Sequence, residues 1–331
     1  LKILGMLYGM AIGDALGMPS ELWSRRKVKD YFGEITEFLD GPKENDVACN
    51  FTKGQFTDDT SQALLILDAL KETKFVPKEE IIANKLLEWA NRTKAFDNNI
   101  LGPSSKAALF AIKSGENKKL ITDKALTNGA SMRIAPIGAL FHPKQKQDLA
   151  EYVYHVSKVT HSSDVAVGGA AMIAYAVSAA IFDKPWDEII NGSIDIYHVA
   201  KQRGAETFTA SMPERLRLAV HFADSHKGNQ EAFCQRIYDV IGCGTTTSES
   251  VPAAIAIAYY ARNVKDCALL CANIGGDTDT IGAMATAICG AKEGFEKINR
   301  HWVEMINSEN DINLTYYAKL LRANKFYAKG E

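Results

Sequence analysis

Apolar residues recur at three- and four-residue intervals along most of this chain, the spacing that lines one face of an α-helix. Ser61–Lys71 (SQALLILDALK), Glu79–Asn91, Ser104–Lys113 and Leu149–Val159 are predicted as helices on this ground. The same pattern predicts helices over Val165–Phe182, Met212–Phe222, Gln230–Ile241, Val251–Arg262, Asp266–Ala272, Ile281–Ala291 and Ile312–Leu321. Two-residue alternation bounded by turn residues is almost absent, and Ile35–Leu39 is the best candidate strand. Helices joined by Gly-, Asn- and Asp-containing loops predict an all-α globule. No repeat, low-complexity tract or long linker divides it, so residues 1–331 are expected to form one compact domain. Gly41–Gly54 is polar, carries Pro42, and is expected to be a surface loop crossing near a site.

Two apolar stretches resemble membrane segments. Ile3–Ile12 follows Lys2 like a short signal-peptide core, but Gly5, Gly9, Gly13 and Gly17 recur every fourth residue. That puts all four on one helix face, which suits close packing against backbone or ligand better than a cleavable leader. Val165–Ile181 is bounded by Asp164 and Asp183 and is short of the roughly 20 apolar residues of a span, so a buried helix is expected. The first residue is Leu1 rather than Met, which allows for residues removed upstream.

The composition changes this picture little. Hydrophobic residues make up 47% and charged residues 24% of the chain, as in an ordinary globule with a sizeable core. A net charge of −2 offers no footprint for nucleic acid or an anionic membrane surface. The six cysteines form no CxxC pair and lie far apart or in apolar helical surroundings, so reduced thiols in a cytoplasmic protein are expected. With no heptad or strand-edge signal, a monomer is the default expectation.

Two segments carry candidate chemistry. Thr57-Asp58-Asp59-Thr60 and Asp277-Thr278-Asp279-Thr280 each precede a predicted helix. Thr and Asp at a helix start can cap free N–H groups and complement the dipole, which by itself would explain either segment. A start needs only one cap, however, and each segment supplies two carboxylates flanked by hydroxyls. Four such carboxylates brought together would repel one another unless a cation lay among them. An oxygen-only donor set favours Mg²⁺ or Mn²⁺ over Zn²⁺. Spacing alone does not say whether the two segments meet.

Five motifs in register carry a resemblance: Gly13-Asp14-Ala15-Leu16-Gly17, Phe56-Thr57-Asp58-Asp59-Thr60, Asn128-Gly129-Ala130-Ser131-Met132-Arg133, Thr160-His161 and Gly275-Gly276-Asp277-Thr278-Asp279-Thr280. In order and spacing they resemble the ADP-ribosylglycohydrolase family over nearly the whole chain, Leu1 to Gly294. The run Gly13–Trp23 is closest to bacterial members without an assigned function. The resemblance implies an orthogonal bundle of helices with a two-metal centre, two Mg²⁺ or Mn²⁺, at the base of a cleft. On this reading Thr57, Asp58 and Asp59 bind one ion, Asp277 and Thr280 the other, and Asp279 bridges them.

The resemblance also implies cleavage of a ribosyl glycosidic bond, with Asp58, Asp59 and Asp279 as candidate acid/base groups and Glu21 over the scissile bond. Glu21 could equally be a surface residue near a helix end. Asn128, Gly129, Ala130, Ser131 and Met132 would offer backbone N–H groups to a diphosphate, although a plain turn is the other reading. His161 would lie by the phosphates or ribose, or serve as a structural hydrogen-bonder. Gly242 and Gly244 would form a glycine-rich loop on the adenosine side. Asp97, in Phe96-Asp97-Asn98-Asn99, is either a contributor to specificity or an Asx-turn residue. Three functions compete: hydrolysis of ADP-ribosyl-arginine or -serine in proteins, hydrolysis of small free ribosylated metabolites, and a non-catalytic ADP-ribose-binding or structural role. A structural protein has no reason to keep four mutually repelling Asp residues together, which ranks that role last.

Overall fold

A computed structural model describes residues 1–98 and 100–326; Asn99 lies outside the described residues. Their hydrophobic side chains form one contiguous core, and among them are seventeen α-helices and no sheet, only isolated β-bridges.

The glycine stripe organises the centre. Helix Lys2–Gly17 packs against helix Thr278–Glu293, with Gly5, Gly9, Gly13 and Gly17 set against the backbone of Gly290, Thr286, Gly282 and Thr278 in turn. The order runs opposite along the two chains, so the helices are antiparallel. A Cβ added at Gly9 would lie 2.2 Å from the Thr286 carbonyl oxygen, and one at Gly282 would lie 2.3 Å from Gly13 O. Backbone therefore meets backbone, as the four-residue glycine spacing predicts. Thr286 Oγ1 also reaches Gly9 O at 2.6 Å. Because the pair is antiparallel, Asp14 near the end of the first helix lies beside the first turn of the second, which carries Asp279.

Around this pair, helix Asp164–Ile181 passes through the core with 94% of its residues buried. It is apolar enough to span a membrane by length and composition, but its small residues are covered by neighbouring helices, among them Trp186–Ala200 and Thr247–Ala261. Five of the six cysteines are buried free thiols, and Cys49 is exposed.

Several expectations change. Ile35–Leu39 is not a strand. The Asn273 side chain takes the place of a partner strand, accepting from Ile35 N and donating to Ile35 O, both at 2.8 Å. Helices Arg25–Phe32, Trp186–Ala200 and Arg300–Glu309 join those expected. Gly192 interrupts the pattern of Trp186–Ala200 because Tyr175 lies over it, its hydroxyl 2.1 Å from where a Cβ would stand. Gln230–Ile241 breaks at Arg236 and continues as a π-turn, Ile237–Ile241. Gly41–Gly54 is irregular, as expected, and Asn45 within it donates to Pro19 O and Glu21 O.

Candidate active site

The two acidic helix starts meet. Thr57 and Asp279 are 222 residues apart in sequence, yet Thr57 Oγ1 lies 3.3 Å from Asp279 Oδ2 and 3.3 Å from Asp59 Oδ2. Asp58 and Asp59 occupy the first turn of helix Asp58–Glu72, and Asp279 the first turn of Thr278–Glu293. Helix capping consumes little of this acidity. Asp277 stands at the N-cap position without a side-chain cap bond. The start of the first helix is held instead by Asp14, whose Oδ1 accepts from Thr57 N (2.8 Å) and whose Oδ2 accepts from Thr60 N (3.0 Å) and Thr60 Oγ1 (2.6 Å). Asp14 is a residue the sequence reading left without a role. It sits in the Gly13–Gly17 motif, so that motif was the available signal.

Four loops complete the site. Gly275 and Gly276 have φ near +84° and +86°, and a Cβ on Gly276 would fall 2.1 Å from Cys243 O. Only glycine fits this turn, which places Asp277 with its N–H on Cys243 O at 2.7 Å. The same turn exchanges backbone bonds with the segment after Glu21: Leu22 N donates to Gly276 O and Gly276 N to Trp23 O, both 2.7 Å. Glu21 is thereby fixed over the acids, and carboxylate oxygens of Glu21, Asp277 and Asp279 converge to within 4.8 Å of one another. Asn128 N donates to Thr245 O at 2.9 Å, and Asn128 Nδ2 donates to Asp277 Oδ2 and Ser250 Oγ.

The electrostatics show what is missing from the protein's own groups. Burial, followed by repulsion from neighbouring carboxylates, pushes Asp58 up to about 8 and Asp59, Asp279 and Glu21 well above the ordinary carboxylate range. Burial raises Asp14 and Asp277 to about 6 each, against hydrogen bonds that oppose the rise. The nearby cation is Arg133, buried behind Asp58, and burial lowers it to about 10. Asp59 Oδ1 and Asp279 Oδ1 are buried with no hydrogen-bond partner. A buried carboxylate oxygen without a donor is costly. Two of them, on helix starts that meet at Thr57 in an oxygen-only environment, fit a hard divalent cation.

A cleft of about 270 Å³ opens on this cluster, its wall including Glu21, Asp58, Asp59, Asp277, Asp279 and Thr280. Asn128, Gly129 and Met132 line it as well, and so do Thr245, which ends the Gly242–Thr245 loop, and Thr127, for which the sequence offered no signal. Ala130 and Ser131 are buried behind the loop, and His161 lies fully covered beneath it, outside the cleft wall. Gly242 and Gly244 wrap the Glu249 side chain, whose Oε2 accepts from Gly244 N at 2.8 Å, and they do not line the cleft. Asp97 is also outside the wall, its N–H donating to Lys94 O in a turn. A larger cavity of about 430 Å³ lies alongside, sharing Ile100, but it touches none of the clustered carboxylates.

Comparison with known proteins adds to this geometry. A family model described as ADP-ribosylglycohydrolase matches residues 1–327. The chain is 45% identical to the uncharacterized protein YegU of Escherichia coli, over 97% of this chain and 96% of that protein. It is 27% identical to the ADP-ribosylhydrolase ARH3 of Xenopus tropicalis, over 91% and 89%. A solved structure titled ADP-ribosylglycohydrolase-related protein complex superimposes with a TM-score of 0.72, covering 98% of each chain at 22% identity, which shows the shared fold.

Proposed function

The chain belongs to the ADP-ribosylglycohydrolase family, and from that premise we propose that it hydrolyses the glycosidic bond joining ADP-ribose to an acceptor, arginine or serine of a modified protein. Thr57, Asp58, Asp59, Asp277, Asp279 and Thr280 would hold two hard divalent cations, Mg²⁺ or Mn²⁺, with Asp279 shared. The observation that carries this reading is the pair of buried, partnerless oxygens, Asp59 Oδ1 and Asp279 Oδ1, where two distant helix starts meet.

Bound ions of this kind fix ribose hydroxyls and lower the pKa of a coordinated water. The rest falls to the chain's own side chains. Glu21, on the cleft wall beside Asp277 and Asp279, is placed to deliver a proton to the departing acceptor atom as the bond to the anomeric carbon breaks. Asp58 and Asp59 are placed to take the proton from the incoming water. Asn128 holds Asp277 through its side-chain amide, which ties the Asn128 loop to the turn that carries the acid.

The volume of the cleft favours a second reading. At about 270 Å³ it falls just under the roughly 300–1,000 Å³ usual for small-molecule sites, so a small ribosylated metabolite would fill it more completely than ADP-ribose. A substrate panel separates the two: ADP-ribosyl-arginine and ADP-ribosyl-serine peptides, poly(ADP-ribose), and free nucleosides. Turnover of the peptides in Mg²⁺ or Mn²⁺, lost in EDTA, supports the proposal; turnover of the free small molecules alone would overturn the protein-substrate reading. A thermal shift with metal and ADP-ribose tests occupancy separately, because a ligand bound only to the folded state raises its stability by mass action.

A further inference from the structure

Behind the cleft, a buried cation dictates the direction of a chain of hydrogen bonds. Arg133 is 1% exposed. Its Nη1 donates to Gln62 Oε1, and Gln62 Nε2 donates on to Asp58 Oδ2 at 2.7 Å. On the other side Arg133 Nη2 donates to Thr160 Oγ1 at 2.6 Å, Thr160 Oγ1 lies 2.8 Å from His161 Nδ1, and His161 Nε2 lies 3.0 Å from Thr127 Oγ1.

A guanidinium has donors and no acceptor, so every bond must run outward from it. Thr160, having accepted from Arg133, has one acceptor within reach for its own proton, His161 Nδ1. Thr160 is fully buried, so the arrangement that leaves its hydroxyl proton paired has Nδ1 bare and a neutral imidazole with its proton on Nε2. Burial and the Arg133 charge both disfavour an imidazolium here, in agreement. Nε2 then donates to Thr127 Oγ1, which leaves the hydroxyl proton of Thr127, a residue of the cleft wall, without a protein acceptor in this network. Gly129 rests on the same ring: a Cβ there would come 2.8 Å from His161 Cε1.

We propose that Arg133 orients this chain so that Thr127 presents a fixed hydrogen-bond donor to an anionic oxygen of the bound substrate, making Thr127 a specificity-determining residue and His161 a positioning residue that does not touch substrate. The identity of that oxygen, a phosphate of ADP-ribose, rests on the function proposed above; the direction of the chain does not.

Two measurements on the full-length protein test it. First, ¹⁵N NMR of the histidine rings should find His161 as the Nε2–H tautomer; a proton on Nδ1, or on both nitrogens near pH 7, would overturn the proposal whatever the enzyme's substrate. Second, titration calorimetry with ADP-ribose in Mg²⁺ should show Thr127→Val weakening binding about ten- to a hundredfold, as loss of a bond to a charged group does. Thr127→Ser should bind within a few-fold of the parent, and Mn²⁺ affinity, followed by EPR, should not change in either variant. Equal ADP-ribose binding by Thr127→Val and the parent would overturn the donor role. Failure of the parent to bind ADP-ribose while His161 is the Nε2–H tautomer would overturn the phosphate assignment together with the proposed function, and leave the chain's polarity standing.

Discussion

Substituting Gly9 by Ala sets two known effects against each other. Alanine is the better helix former by up to about 1 kcal/mol, so on propensity alone Gly9→Ala should stabilise the protein. The added methyl, however, would sit 2.2 Å from Thr286 O and 3.0 Å from Thr286 C. Both are backbone atoms, so no rotamer change can relieve the contact. The two central helices would have to part by about 1 Å, at the usual overpacking cost of roughly 1–3 kcal/mol, here at the upper end. The net effect expected is a loss of about 2 kcal/mol, equivalent to a fall of about 3 °C in melting temperature for a chain of this length. The displacement should reach the acids. Asp14 lies five residues further along the first helix and Asp279 seven residues back along the second, distances of about 7–11 Å at 1.5 Å per residue. Denaturant unfolding in EDTA should show the stability loss, and Mn²⁺ titration of the folded variant should show weaker binding. Gly102→Ala is the steric control, because nothing lies within 4 Å of a Cβ at Gly102 and its φ is −59°; as Gly102 is the N-cap of helix Pro103–Lys113, where Ala is the poorer cap, it should cost no more than about 1 kcal/mol. A Gly9→Ala protein as stable as its parent would refute the close-packing account.

Other outcomes follow from the same geometry. Asp279→Ala should abolish turnover and the stability gain from Mg²⁺ or Mn²⁺ while circular dichroism stays unchanged. In EDTA it should melt no lower than the parent, since it removes a carboxylate that its neighbours repel; a markedly lower melting temperature in EDTA would count against that picture. Asp14→Asn offers one acceptor oxygen where three donors converge, so denaturant unfolding should show a loss of about 1–3 kcal/mol, and a change under half of that would mean the helix start is held otherwise. His161 has a folded pKa near 3, below its unfolded value of about 6.5. Its contribution to stability is therefore complete above pH 6.5 and declines as pH falls toward 3. Ring resonances of His161 should stay constant from pH 8 to 5, and a midpoint near 6.5 would contradict its burial as a neutral ring.

The local periodicities of the chain were sufficient to mark most of its helices, the all-α class and the glycine face of the first helix, because each depends on residues three or four positions apart. The same locality explains the errors. Ile35–Leu39 reads as a strand until Asn273 supplies its hydrogen bonds from a distant helix, and helix Trp186–Ala200 is not among those expected, its Gly192 having Tyr175 where a side chain would stand. The acidic segments and the glycine stripe were each visible in one dimension, but not that one serves the other. It is the antiparallel, backbone-to-backbone contact of helices Lys2–Gly17 and Thr278–Glu293 that carries Asp14 and Asp279 to the start of helix Asp58–Glu72. Likewise the route from Arg133 through His161 to Thr127 joins side chains from separate segments, whose order in the chain says nothing of their contact. Residue types establish which atoms can donate, accept or hold charge; only packing decides which of them face one another.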